Sequence, residues 1–327
     1  MKNFNDILGH DNIKEHLQTA INMGKLSHAY IFSGEEGSGK KTVAEIFAAA
    51  LMCSGEEKPC GMCMSCMQAE SHNHPDIVYV THEKSRIGVD EIRVQLINDI
   101  VIKPFSSPHK VYIIDEAERM TEQAQNALLK TLEEPPEYAV IILLTTNTGS
   151  FLQTILSRCV TIQFKPLDNK LIVDYLMKNQ QLPDYYAKVC ASFSAGSLGK
   201  AIKYAGNPEF EKVKQDVLGI VKNIDEAPFD ELVSATAVLS ENKAMMDDYI
   251  DLMHLWFRDI LMFKATQDAN RIIFIDELMQ IKQMASRYSF EGLGKIADAF
   301  YKVRDRLKAN VNFETAIEML FLSMREH

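Results

Sequence analysis

The stretch Gly34–Thr42 reads GEEGSGKKT and follows directly on the apolar run AYIF. Gly34, Gly39 and Lys40 have the spacing GxxxxGK, with Gly37 between them. Such glycines let backbone N–H groups turn onto phosphate oxygens at the start of a helix, and the lysine reaches the β and γ phosphates. Where these loops carry Ser or Thr next, this one carries Lys41, and Thr42 comes one position late. A second set lies in KVYIIDEAE, where an apolar strand ends in two acids. Asp115 would lie near Mg²⁺ and Glu116 where it orients an attacking water. LLTTN, at the end of the next apolar run, puts Thr146 where it can hydrogen-bond a γ phosphate or that water. These sets, in this order and each after a strand, point to ATP and Mg²⁺ as the ligands in question.

Four cysteines crowd between Cys53 and Cys66 with the spacing C-x₆-C-x₂-C-x₂-C. Four thiolates at short spacing suit a tetrahedral Zn²⁺, and a site made of Cys53, Cys60, Cys63 and Cys66 leaves no open position, so its role would be structural. Cys159 and Cys190 read as small packing residues.

The elements that must position these groups alternate. A helical pattern (Ile13, Leu17, Ala20, Ile21) precedes a strand at 29–32, the glycine loop and a helix with Val43, Ile46, Phe47, Ala50 and Leu51 on one side. Apolar runs at Ile77–Val80, Val111–Ile114, Val140–Leu144 and Val160–Phe164 suit a parallel sheet covered on both faces. Helices are expected at about Asp90–Val101 and at Thr121–Glu134, the second with Thr121 as N-cap and Pro135-Pro136 as its stop. Beyond Pro166 the pattern is helical alone, broken at Gly206-Asn207-Pro208 and followed by about five amphipathic helices. The layout is an α/β P-loop domain over 1–165, a small helical domain over 166–207 and an all-α domain over 208–327.

With 327 residues, two or three domains are expected, and 46% apolar with 24% charged residues describes a globular chain. No leader-like start and no membrane-length apolar run is present, so the expected compartment is the cytoplasm. A net charge of −10 argues against this chain alone gripping a nucleic-acid backbone, although a local basic face is compatible with it.

These residues resemble the clamp-loader branch of the AAA+ ATPases over nearly the whole chain. FNDILGHDNIKEHLQTAINMGKLSHAYIFSG resembles the family's entry segment, NALLKTLEEPP and TILSRC resemble its signatures, and LKANVNFETAIEMLFL resembles its last collar helices. The resemblance implies a nucleotide-binding domain, a helical lid and a collar through which five subunits form a ring. That ring opens the sliding clamp and places it on primed DNA, with gamma/tau and delta subunits as partners. It also implies a role for Arg158 of SRC, which would project into the neighbouring subunit's site and act there in trans. A zinc module after the P-loop helix belongs to the same resemblance; the gap after Cys53 is short for it, leaving His72 or His74 as an alternative fourth ligand.

Two departures select among the family's members. Lys41 has no lone pair for Mg²⁺. In the lid, where active subunits show GSxR, this chain shows Gly196-Ser197-Leu198-Gly199, with Lys200 beside it as a stand-in. Keeping SRC while losing both is the pattern of a stator that lends its arginine, with its own ATP site weak or idle, Glu116 included. The Asp115-Glu116 pair keeps a gamma/tau-type motor subunit as the competing reading. A self-sufficient P-loop enzyme such as a kinase is the reading from another class, and the sequence offers it no acceptor-substrate site.

Overall fold

The computed structural model describes residues 3–82, 86–309 and 311–325. It divides into two compact units, one of residues 1–171 with 196–200, the other of residues 172–195 with 201–327.

The first unit is built on five parallel strands: β1 (Ala29–Ser33), β2 (Ile77–Val80), β3 (Lys110–Ile114), β4 (Ala139–Thr145) and β5 (Val160–Gln163). Their order across the sheet is β2-β3-β4-β1-β5. Successive side chains of a strand face opposite ways, so a sheet covered twice needs apolar residues at every position. β1, β3 and β4 are buried throughout. Tyr30, Phe32, Val111, Ile113, Ile142 and Leu144 share one core with the helices Asp11–Met23 and Lys40–Met52. Ile31, Tyr112, Ile114, Ile141 and Leu143 share the other with Leu96, Leu128 and Leu132.

Strand positions follow the apolar runs closely, with two local differences. β5 is an edge strand of which only Ile162 is buried, so it is not covered on both faces. The helix expected over Asp90–Val101 instead runs Val89–Ile92, widens into a π turn at Arg93–Ile97 and then unwinds. Its last carbonyls are taken by side chains: Lys110 Nζ donates to Asp99 O and Ile102 O, and Tyr138 Oη to Ile100 O. The helix Glu122–Glu133 begins as read, with Thr121 Oγ1 accepting the Ala124 N–H.

Among the described residues of the second unit, the segment after Asn207 holds six α-helices, Pro208–Asn223, Phe229–Glu241, Met246–Thr266, Leu278–Arg287, Phe290–Lys308 and Phe313–Arg325, rather than about five. The break at Asn242–Met245 carries neither Pro nor Gly, the residues that punctuate helices in a sequence. Trp256, Tyr249, Ile260 and Phe321 are fully enclosed in this unit.

One buried carboxylate shapes the first unit. Asp76, 1% exposed, accepts the backbone N–H groups of Phe105, Ser106 and Ser107 at 2.6, 2.9 and 3.1 Å. Burial alone would raise its pKa, but these bonds outweigh burial and hold it below the ordinary carboxylate value. Its stabilisation is therefore full above the unfolded-state pKa of about 4 and is lost as pH falls through the lower folded-state value. We expect Asp76→Ala to cost about 2–4 kcal/mol at pH 7, because it orphans three N–H groups. Denaturant midpoints measured from pH 7 to pH 3 should show the variant losing less stability on acidification than the wild type.

Candidate functional site

Parallel strands put all their C-terminal ends on one edge of the sheet. β1 and β3 both pair with β4, so the loops leaving β1, β3 and β4 meet there. A cleft of roughly 590 Å³ opens at this edge, lined among others by Gly37, Lys40, Lys41, Asp115, Glu118 and Thr146. Gly39, at φ 93° and thus in the left-handed region, precedes the first turn of the helix Lys40–Met52, and both it and Thr42 line the cleft. Gly34 does not line it. A Cβ there would lie 2.7 Å from Phe164 O, so Gly34 serves the close approach of the loop to the chain leaving β5.

The charges in the cleft are arranged in a way the motifs alone did not indicate. Lys40 is 9% exposed, and its ammonium donates to Gly34 O at 2.5 Å and Glu35 O at 2.7 Å. Burial lowers its pKa, offset in part by Glu118 and Asp115. Lys41 Nζ sits 3.2 Å from Asp115 Oδ2, so the carboxylate expected to face Mg²⁺ already has a cation. Glu116 takes a left-handed backbone (φ 49°), and its carboxylate goes to Arg119 at 3.0 Å and towards His82 at 3.7 Å. The acid beside Thr146 is instead Glu118, which accepts from Thr146 Oγ1 at 2.6 Å. Its Oε2 is buried without a hydrogen-bond partner. Burial raises the pKa of Glu118, and the hydrogen bonds of Thr146 outweigh it, so the carboxyl is held below its usual value. Glu118 is a site residue not expected from the motifs, although the third acid of DEAE, two residues past Glu116, was its signal.

The loop has the character of a phosphate site: Lys40 is bound only to loop carbonyls it can exchange, and Ser38 Oγ is buried with no partner. Mg²⁺ does not fit the same residues. The position that should offer a hydroxyl offers an ammonium, and that ammonium occupies Asp115. A divalent ion about 4 Å from Lys41 would be repelled by about 2 kcal/mol in bulk water, and by more in a partly dry cleft.

Arg158 is not among the residues lining this cleft. It follows the short helix Gln153–Leu156 and is held by Glu133 Oε1 at 2.7 Å, Thr154 O at 3.0 Å and Ser157 Oγ at 3.3 Å, with its side chain 35% exposed. Glu133, at the end of the helix that carries LEEPP, is a partner the sequence did not announce.

The four clustered cysteines do converge. Cys53 closes the helix Lys40–Met52 and Cys63 caps the helix Met64–Glu70, and the four Sγ atoms lie within 4.8 Å of one another. Two of the Sγ···Sγ separations are 3.9 and 4.0 Å, close to the ~3.8 Å that tetrahedral Zn–S bonds of about 2.3 Å require. Backbone N–H groups of Gly55, Cys60, Cys63 and Cys66 point at Sγ atoms of the cluster at 3.3–3.4 Å, as thiolates need. Burial raises the Cys53 and Cys66 thiols, whereas such bonds lower Cys60 and, against burial, bring Cys63 down to about 6. His74 is engaged elsewhere, with Asp76 N and Ser107 Oγ, and His72 packs edge-on against Tyr79. The set therefore fits a thiophilic metal with Cys53 included. Outside the cluster, burial pushes Cys159 and Cys190 up to about 12, in keeping with packing roles.

Two family profiles match the chain: "DNA polymerase III, delta subunit" over residues 9–168 and "DNA polymerase III, delta subunit, C terminal" over residues 211–326. The DNA polymerase III subunit delta' of Bacillus subtilis (strain 168) is 30% identical over 95% of this chain and 94% of its own length. The chain belongs to the clamp-loader subunit family of DNA polymerase III. The same organism's subunit tau is also 30% identical over 96% of this loader subunit, which spans 60% of tau. A solved Thermotoga maritima structure, a gamma-subunit-related protein, aligns over 95% of this chain and 98% of its own at 20% identity and a TM-score of 0.47.

Four thiolates around one ion should give a metal content of about one equivalent per chain in a reduced preparation never exposed to chelator. We expect Cys63→Ser to lower that content severalfold, and a wild-type value near zero by elemental analysis would contradict the cluster's role.

Proposed function

We propose that this subunit takes the delta-prime role in the loader, a stator that lends Arg158 to a neighbour's ATP and hydrolyses little or none itself. The observation that carries this reading is the Lys41–Asp115 ion pair, which puts a protein cation at the acid a catalytic Mg²⁺ would need. Glu116 supports it too, turned to Arg119 instead of being held for an attacking water.

Arg158 keeps the properties that a trans arginine needs. It stands outside its own cleft, it is partly exposed, and its guanidinium is pre-oriented by one carboxylate and one carbonyl. In the neighbour's site it would stabilise charge on the transferred phosphoryl group. On this reading residues 166–207 act as the lid and residues 208–327 as the collar that joins gamma/tau and delta subunits in a ring of five. The sliding clamp and primed DNA are then reached through the assembly. The cysteine cluster would hold Zn²⁺, which ties the segment between two helices and takes no part in the chemistry. Among the described residues no helix is long and apolar enough to cross a membrane, and replication work on DNA would keep the subunit in the cytoplasm.

The motor reading draws on the retained Asp115-Glu116 pair and on the similarity to tau. It is disfavoured because both acids are already committed to cations of this chain. In a ring reconstituted with this chain, we expect Arg158→Ala to lower the neighbour's ATP hydrolysis by about 10³ or more. Hydrolysis unchanged by that substitution, in rings of normal composition, would contradict the proposal.

A further inference from the structure

Gly196–Lys200, the entry and first turn of the helix Leu198–Ala205, lies directly on the phosphate loop. Ser197 Oγ donates to Glu36 O at 2.8 Å, Gly199 N–H to Gly37 O at 2.9 Å, and Lys200 Nζ approaches Glu35 Oε2 at 3.8 Å. There is no room for a side chain at the point of contact. A Cβ on Gly199 would fall 2.7 Å from Gly37 Cα and 2.9 Å from Gly37 O, and one on Gly37 would fall 2.6 Å from Ser197 Oγ. Gly199 is thus more than a missing arginine, since its lack of a side chain is what lets two backbones touch.

On the other side of the loop, Lys41 starts the helix beside Lys40 and pairs with Asp115, the residue that ends the β3 motif. Its ammonium is the right charge in the wrong form: it neutralises the carboxylate, donates hydrogen bonds and offers no lone pair to an ion. Lys40 and Lys41 together bring two positive charges to a cleft that also holds Asp115, Glu116 and Glu118.

We propose that Lys41 is a built-in replacement for the divalent cation, so that this cleft refuses Mg²⁺ and any nucleoside di- or triphosphate it accepts is bound metal-free. This rests on the stator reading and adds to it a chemical rule for the idle site. Phosphate oxygens would draw Lys40 off Gly34 and Glu35 and share Lys41 with Asp115. No arginine reaches in from the turn at position 199, because Gly199 is docked on Gly37.

The test is a titration of a fluorescently labelled ATP into the full chain, with excess Mg²⁺ or in buffer freed of divalent ions by resin beforehand, so that the cysteine cluster keeps its metal. Wild type should bind no tighter with Mg²⁺ than without it. Lys41→Thr, which restores a hydroxyl and frees Asp115, should bind about tenfold or more tighter when Mg²⁺ is present. Lys41→Ala, which frees Asp115 without adding a ligand, should fall between them. All three should share the same circular dichroism and metal content, since an exposed ion pair adds little to stability.

A wild type that binds at least tenfold tighter with Mg²⁺, or a folded Lys41→Thr with no more Mg²⁺ dependence than wild type, would overturn the inference. Wild-type binding that depends on Mg²⁺ but leads to no turnover would sink this inference and leave the stator reading standing. Turnover at a motor subunit's rate would sink the reading itself.

Discussion

The place of β1 between β4 and β5 is the constraint on which the rest depends. It is buried at every position, so Ala29–Ser33 must be apolar or small along its whole length, and the loop that follows has to leave at the sheet's C-terminal edge. β4 pairs with it in register from Ala29–Ile141 to Ser33–Thr145, which brings Thr146 level with the glycine loop. β3 pairs with β4 in turn, and Asp115 arrives at the same edge. The position of the cleft is therefore a consequence of strand order, while its close loop contacts depend on the glycines at 34, 37 and 199.

Because the scaffold does not depend on the chemistry, substitutions at the edge change function without changing fold. Lys41 and Asp115 are 58% and 48% exposed, and a pair so exposed contributes little to stability. Its effect falls on the ligand instead. Arg158 and Glu133 form the mirror case on the proposed reading, a surface ion pair that would aim a guanidinium. On the proposed reading, one pair blocks a cation in the chain's own cleft, and the other prepares a cation for use in a neighbour's site. The proposed division between stator and motor subunits reduces to these two pairs.

Much of this was legible in the residues, because apolar runs of four or five report buried parallel strands directly. The runs at Ile77–Val80 and Val111–Ile114 lie within the observed strands, and Thr121 announced its own helix. Lys41 was legible as an odd residue, but its partner was not, since the pair joins positions 74 residues apart through the sheet. The direction of Glu116 was hidden for another reason: a left-handed backbone at a single non-glycine residue turns the acid away and brings Glu118 to Thr146. Asp76 drew no reading from the sequence, because only tertiary structure brings it the three N–H groups of Phe105, Ser106 and Ser107. Cys53 was in doubt because the gap after it is short for the resemblance, and its Sγ nevertheless lies with those of Cys60, Cys63 and Cys66.

The central claim is that this chain supplies an arginine and not a hydrolytic site. Steady-state turnover of MgATP by the isolated chain, with and without Lys40→Ala, addresses it most directly. The account expects turnover at background and unchanged by the substitution. Turnover comparable to that of a motor subunit, abolished by Lys40→Ala, would contradict it.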